Sequence, residues 1–303
     1  MRIFVTGAEG QVARSLREAT AGDAGLVLGW GARPAVDLTR PDTVARAIEA
    51  FKPDLVVNPA AYTAVDKAEN EPELAFAVNR DGAGATAAAA TLAGAPIIHL
   101  STDYVFDGTR DGPYLETDAT CPIGVYGQSK LAGEVAVAAA NPRHIILRTA
   151  WVYAPFGANF VRTMLRLGGE RDRLSVVDDQ VGCPTYAPDI AAAILSIARR
   201  LNAGWREPYA GVTNCAGPDA VTWCGFARAI MTGASARGGR SAAVDAITTA
   251  QYPTPARRPA NSRLDCGRLA DLFEVKPPPL GDSLGRCLDR LVGAAGDSEG
   301  TSH

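Results

Sequence analysis

The first half of the chain alternates short apolar runs with longer segments whose apolar residues recur at helical spacing. Arg2-Ile3-Phe4-Val5-Thr6 reads as a strand, and Gln11 to Ala21 as the helix that follows. Leu26-Val27-Leu28 is the next strand, and Pro41 to Phe51 a helix opened by proline in its first turn. Asp54 to Val57 is a third strand, with Glu71 to Asn79 and Ala83 to Ala93 helical. Pro96 to Ser101 is a fourth strand, Gln128 to Ala140 a helix, and His144 to Arg148 a fifth strand. Fully apolar strands alternating with helices predict a parallel sheet covered on both faces, the doubly wound, Rossmann-like α/β arrangement. Ligands of such sheets sit beyond the carboxyl ends of the strands.

After Trp151 the rhythm loosens. Asn159 to Leu167 and Pro188 to Leu201 read as helices and Leu174 to Val177 as a strand. Pro253 to Arg263 is rich in proline and arginine, which suits a loop facing a ligand. The length, 303 residues, fits two domains.

Hydrophobic residues make up 47% and charged residues 21%, with a net charge of −3. This is an ordinary globular composition, with no basic field for nucleic acid or an anionic membrane. An anionic ligand must therefore be held locally, by a few arginines or by backbone amides. The alanine-rich stretch from Gly82 to Ala95 carries three glycines and two threonines, so it reads as a buried helix and not a membrane span. The opening MRIFVTGAEG is too short in apolar residues for a signal peptide, and a soluble, cytoplasmic protein is expected. Six cysteines form no C-x-x-C pair, and His99 and His144 lie in or beside apolar runs. The thiols read as free, the histidines as structural, and no metal site is expected.

Gly7-Ala8-Glu9-Gly10-Gln11-Val12-Ala13 follows the first strand and opens a helix. Gly7 permits the tight turn, Gly10 lets a pyrophosphate approach the backbone, and the helix N-terminus supplies amides and dipole. Ala13 replaces the third glycine of the usual dinucleotide fingerprint. The second signal is Tyr126-Gly127-Gln128-Ser129-Lys130. With eight tyrosines and only four lysines, roughly 0.1 such Y-x-x-x-K pairs are expected by chance. Four residues apart on a helix, phenol and ammonium share a face. A cation there stabilises phenolate and draws the Tyr126 pKa down, making it a general acid for a carbonyl under reduction. Thr102, at the carboxyl end of the fourth strand, can bond the same carbonyl oxygen.

The second strand ends in Gly29-Trp30-Gly31-Ala32-Arg33, without the carboxylate that takes an adenosine ribose. Arg33 is instead a cation suited to a 2′-phosphate, so NADPH is expected to be preferred, with NADH also accepted as the alternative.

Glycine turn, strand-end hydroxyl and Tyr/Lys pair, in this order, resemble the extended short-chain dehydrogenases/reductases. Longer runs are similar to the dTDP-4-dehydrorhamnose reductases. They are Val57 to Glu69, Ser101-Thr102-Asp103-Tyr104-Val105-Phe106-Asp107-Gly108, Tyr126 to Glu134, Arg148 to Tyr153, Asp179 to Thr185 and Tyr252 to Leu264. The match covers residues 1 to about 290. The resemblance implies a catalytic set of Thr102, Tyr126 and Lys130. It puts Gly10, Gln11 and Val12 by the cofactor phosphates, Asp37 and Leu38 by the adenine, and Ala60, Ala61 and Thr63 by the adjoining ribose and phosphate. Tyr126 and Lys130 also touch the nicotinamide ribose in this family, and Thr102, Asp103 and Trp151 match sugar-nucleotide positions. Arg258, in the family-like Arg-Pro-x-Asn-Ser segment, is expected to grip the substrate diphosphate.

The implied activity is NAD(P)H-dependent reduction of the C4 ketone of dTDP-4-dehydro-β-L-rhamnose. Another nucleotide-sugar reductase or epimerase, or a non-catalytic NADP-binding subunit, is the alternative. Residues 1–155 are then mainly the dinucleotide-binding domain and 156–292 mainly a smaller, mixed α/β substrate domain, some of whose segments return to the first; 293–303 is a flexible tail. Some family members dimerise through magnesium held by acidic residues. Ser15 and Pro188 stand at the matching places, so magnesium is not expected, and the protein is a monomer or a homodimer.

Overall fold

The computed structural model describes residues 1–293, so the expected tail lies outside the described residues from 294 onward. The chain runs β1 (Arg2–Thr6), α1 (Gln11–Ala19), β2 (Val27–Gly31), α2 (Pro41–Phe51) and β3 (Leu55–Asn58). Short helices α3 (Val65–Ala68) and α4 (Pro72–Phe76) lead through a π-turn at Ala77–Gly82 into α5 (Ala83–Leu92). Next come β4 (Ile97–Thr102), a 3-10 turn at Asp103–Val105, α6 (Val125–Ala140), β5 (His144–Thr149) and β6 (Val152–Tyr153). The second half contains α7 (Phe160–Glu170), β7 (Arg173–Val177), β8 (Val181–Gly182), β9 (Thr185–Tyr186), α8 (Ala187–Asn202) and β10 (Gly211–Asn214). It ends with β11 (Val221–Thr222), α9 (Trp223–Ser235), β12 (Ala243–Ile247), β13 (Asn261–Ser262), α10 (Gly267–Phe273) and α11 (Leu280–Leu288).

Six strands form the central parallel sheet, in the order β10-β5-β4-β3-β1-β2. Its period-two alternation sorts the core. Ile3, Val5, Leu55, Val57, Ile98 and Leu100 face α1 and α8, whereas Phe4, Val56 and Ile97 face α2, α5 and α6. Strand β1 has β2 on one side and β3 on the other, so the order reverses there. The crevice beyond the carboxyl ends of β1 and β3 is the place where such a sheet takes its ligand. A second core, around Tyr153, Val161, Phe226 and Leu284, lies between α7, α9 and α11.

Several elements differ from the sequence reading. β2 runs on through Gly29 to Gly31 because each of its residues pairs with β1, and the ring of Phe51 fills the space a β-carbon at 29 would need. The helix expected over Glu71 to Asn79 breaks into the π-turn, where the Asn79 side chain turns inward. Its Oδ1 accepts from the Tyr62 amide at 2.8 Å and its Nδ2 donates to Ser129 Oγ at 2.9 Å. α6 starts three residues early because Glu69 Oε1 accepts from the Val125 amide at 2.9 Å and caps it from outside. β10, Gly211-Val212-Thr213-Asn214, has no apolar run to mark it as a strand and adds to the sheet beside β5. Among the described residues, no helix is long and apolar enough to cross a membrane.

Candidate active site

Strand β1 delivers the chain into the crevice at Gly7, whose φ of +62° favours glycine, and where a β-carbon would stand 2.9 Å from Ala60 Cβ. The turn closes with the Gly10 amide donating to the Gly7 carbonyl at 2.8 Å. Gly10 then caps α1 without a side chain, and no acidic residue occupies the first turn. The amides of that turn are left to an external anion. Val12 is buried, while Gln11 reaches across and accepts from Asn159 Nδ2 at 2.9 Å. That bond ties the glycine loop to the residue capping α7.

The other cofactor-side candidates follow the carboxyl ends of β2 and β3. Arg33 follows β2, is exposed, and has no hydrogen bond or ion pair among the described residues. Asp37 accepts from the Thr39 amide and hydroxyl, at 2.9 and 2.8 Å, and the amide first of all holds its carboxyl below the usual range. Leu38 packs on Gly82, where a β-carbon would collide with it. Ala60 and Ala61 are half-buried just past β3 and Thr63 is exposed. A glycine cradle that a β-carbon would fill, bare amides and a free arginine fit a phosphorylated dinucleotide.

Thr102 ends β4 and caps the following turn, accepting from the Tyr104 amide at 3.2 Å and donating to Asp103 Oδ1 at 2.9 Å. Asp103 is buried, and its Oδ2 has no partner. Burial pushes its pKa up to about 6. Tyr126 and Lys130 come from the first two turns of α6. Gly127 lets that helix close on the turn, since a β-carbon there would overlap the Tyr104 carbonyl. The Tyr104 and Tyr126 rings meet edge to face at 5.5 Å.

Burial pushes the Tyr126 phenol up to about 12, with the Thr102 hydroxyl pulling the other way. This corrects the expectation that Lys130 draws the phenol down. The ammonium turns inward instead, donating to the Leu100 carbonyl at 2.6 Å and lying 3.3 Å from His99 Nε2. Burial lowers the Lys130 pKa to about 8. The phenol is therefore a protonated donor at neutral pH, which is the form a ketone reduction uses.

Trp151 sits just past β5 with φ of +47°, a left-handed backbone that only strong packing sustains. Its indole stacks on Trp223 with centroids 3.4 Å apart and planes within 6°. Gly182 leaves the space, since a side chain there would meet the indole. Beside this stack opens a cleft of about 430 Å³ lined by Phe160, Gln180, Trp223, Tyr252 and Arg258. Arg258 is held by Asp66, through Nη1–Oδ1 at 3.1 Å and Nη2–Oδ2 at 2.8 Å, and it also donates to Thr254. Trp223, Gln180 and Tyr252 were not among the sequence-derived candidates. Trp223 follows no motif, and only its stacking on Trp151 marks it.

The RmlD substrate binding domain family model matches residues 1–292. A dTDP-4-dehydrorhamnose reductase of Sinorhizobium fredii is 50% identical over 293 residues, covering 96% of this chain and 98% of the relative. The crystal structure of a dTDP-4-dehydrorhamnose reductase from Clostridium acetobutylicum superposes with a TM-score of 0.89 at 37% identity, covering 96% of this chain and 99% of that one. That of the Bacillus anthracis dTDP-4-dehydrorhamnose reductase in complex with NADP gives 0.86 at 33%, covering 96% and 98%. With a family model spanning nearly all of it and such relatives matched end to end, the chain belongs to the dTDP-4-dehydrorhamnose reductase family.

Proposed function

We propose that this protein reduces the C4 ketone of dTDP-4-dehydro-β-L-rhamnose to dTDP-L-rhamnose with NADPH, in the cytoplasm. The observation that supports the reading is that Thr102 ends β4 while Tyr126 and Lys130 open α6, which packs on the turn after Thr102, with the glycine loop following β1 at the carboxyl edge of the same sheet. The nicotinamide cofactor, when bound, supplies hydride to the ketone carbon.

Everything else falls to side chains of this protein. Gly10, Gln11 and Val12 present the first-turn amides of α1 to the diphosphate, Gly7 keeping the loop tight. Arg33 takes the 2′-phosphate, Asp37 and Leu38 border the adenine, and Ala60, Ala61 and Thr63 border the adjoining ribose and phosphate. Tyr126 gives its phenolic proton to the oxygen as negative charge grows there. Thr102 swings its hydroxyl from Asp103 to the same oxygen, and Lys130 holds the nicotinamide ribose. Trp151 and Asp103 shape the sugar site, and the second core serves as the substrate lobe.

Purified protein incubated with NADPH and dTDP-4-dehydro-L-rhamnose is expected to consume cofactor only when both are present, releasing dTDP-L-rhamnose. Consumption with a different 4-keto nucleotide sugar and none with this one would overturn the substrate assignment.

A further inference from the structure

Behind Lys130 a file of buried polar side chains crosses three adjacent strands. Thr6 ends β1, Asn58 ends β3, and His99 stands opposite Asn58 in β4. Thr6, Asn58 and His99 are 0% exposed and Lys130 is 2% exposed. Thr6 Oγ1 lies 2.5 Å from Asn58 Oδ1, Asn58 Nδ2 lies 3.0 Å from His99 Nδ1, and His99 Nε2 lies 3.3 Å from Lys130 Nζ. On the same face Phe4, Val56, Ile97 and Ile146 are apolar, while Ser101 and Arg148 lie farther along β4 and β5 and are taken up by Glu134. Buried polar groups there need partners, and an apolar side chain would need none.

Two arrangements of the file differ in which ring nitrogen of His99 carries the proton. When Asn58 Nδ2 donates to Nδ1, the imidazole proton sits on Nε2 and faces Nζ, so the lysine must accept and be neutral. When Lys130 is an ammonium it donates to Nε2. The imidazole proton then sits on Nδ1, and the Asn58 amide is turned so that Oδ1 accepts from it and Nδ2 donates to Thr6. Both amide orientations fill the same volume. The imidazolium belongs to neither arrangement, and burial together with Lys130 holds the His99 pKa well below its ordinary value.

We propose that His99 and Asn58 are positioning residues for the reduction, coupling imidazole tautomer and amide orientation to the charge and aim of Lys130. An ammonium has three N–H bonds. Leu100 O and His99 Nε2 take two, which leaves the third for a group outside the file, in the reductase reading the cofactor ribose. This rests on the reductase reading, since only there does the aim of Lys130 govern turnover.

Of the other ionisable groups around α6, Tyr104 meets the Tyr126 ring edge to face, and the rest are paired, capping or exposed. Glu134, on α6, is gripped by Arg148 of β5 and by Ser101 of β4. Asp103 is bonded to Thr102, and Glu69 caps α6. On α3, α4 and the π-turn, Asp66 is held by Arg258 and Arg80 pairs with Asp81, while Lys67, Glu71 and Glu73 are exposed. Tyr126 stays protonated through the range in which Lys130 titrates.

The full-length protein is assayed with NADPH and dTDP-4-dehydro-L-rhamnose as His99→Leu and His99→Gln, with thermal unfolding alongside. His99→Leu is expected to lower kcat at least about tenfold while substrate KM stays within about twofold. The basic limb of its kcat/KM profile moves to lower pH by about half a unit or more, because the ammonium has lost an acceptor. His99→Gln, whose amide oxygen accepts from the ammonium, restores most of both. Wild-type kcat and an unmoved limb in His99→Leu overturn the proposal. Nitrogen NMR of the wild-type His99 ring needs neither substrate nor a variant. Its proton is expected on Nδ1 at about pH 6 and on Nε2 at about pH 10, either side of the Lys130 titration. A single tautomer throughout overturns the coupling. If the wild type leaves the hexulose unreduced, the reductase reading fails, and the NMR result still decides the coupling.

Discussion

Arg258 and Asp66 face each other as a two-pronged ion pair across 192 positions of the chain. The pair fastens the proline-rich loop to α3 and fixes the guanidinium at the edge of the cleft. With side chains 23% and 40% exposed, it is worth no more than about 1 kcal/mol to folding. Its value lies in where it puts a cation. Arg258→Ala is expected to raise the KM for the nucleotide sugar about tenfold or more, with NADPH affinity unchanged. Asp66→Asn, which loosens the arginine without removing it, should give a smaller rise. Steady-state kinetics with each substrate varied decides, and an unchanged KM in Arg258→Ala removes the diphosphate role.

Tyr126→Phe deletes the proposed proton donor and keeps the ring against Tyr104. Turnover is expected to fall about 100-fold or more, with unfolding temperature and NADPH binding close to wild type. Thr102→Val should cost less, since the role proposed for Thr102 is to support the oxygen without giving up a proton. Near-normal kcat in Tyr126→Phe would hand the proton transfer to another group.

Arg33 has no protein partner among the described residues, so its charge is available to a ligand. Arg33→Ala is expected to lower kcat/KM for NADPH about tenfold and to leave that for NADH unchanged. Wild-type enzyme equally efficient with both cofactors would refute the preference. A preference that survives the substitution would place its cause elsewhere.

Lys130 makes stability depend on pH. Its folded pKa of about 8 lies below the ordinary 10.5, so between those values the unfolded chain binds the extra proton and stability rises with pH. Below about pH 8 the cost of the buried charge is constant, on the order of 3 kcal/mol. Lys130→Met is expected to raise the unfolding temperature at about pH 7 and to lose that gain by about pH 10.5, while abolishing activity. Thermal scans of both proteins across this range test it. An equal gain at both ends would trace the stabilisation to packing.

The features legible in the sequence are the local ones. The β1 run, the Gly7–Gly10 turn and the Tyr126/Lys130 spacing each carry their geometry within a few residues. The pairing of β10 with β5 and the stacking of Trp223 on Trp151 depend on segments far apart, and neither leaves a periodic trace. The chemistry of Tyr126 was legible in kind but not in cause. Spacing put a cation on its face of the helix, whereas burial governs the phenol and the cation is drawn off by Leu100 O and His99. His99 did prove to be buried in the sheet, but its ring nitrogens meet Asn58 and Lys130, contacts that an apolar run does not announce.

The late return of α8 and β10 to the first sheet has a consequence for synthesis on the ribosome. When β5 has emerged, its free edge still awaits β10, and the apolar face shared with α1 still awaits α8. At about 5–20 residues per second, roughly 65 further residues take about 3 to 13 seconds to appear. Throughout that interval the nascent chain presents an unpaired strand edge and bare aliphatic surface, which chaperones recognise. A fragment cut at residue 155 would never leave that state, and should be recovered as aggregate and not as a free-standing nucleotide-binding module.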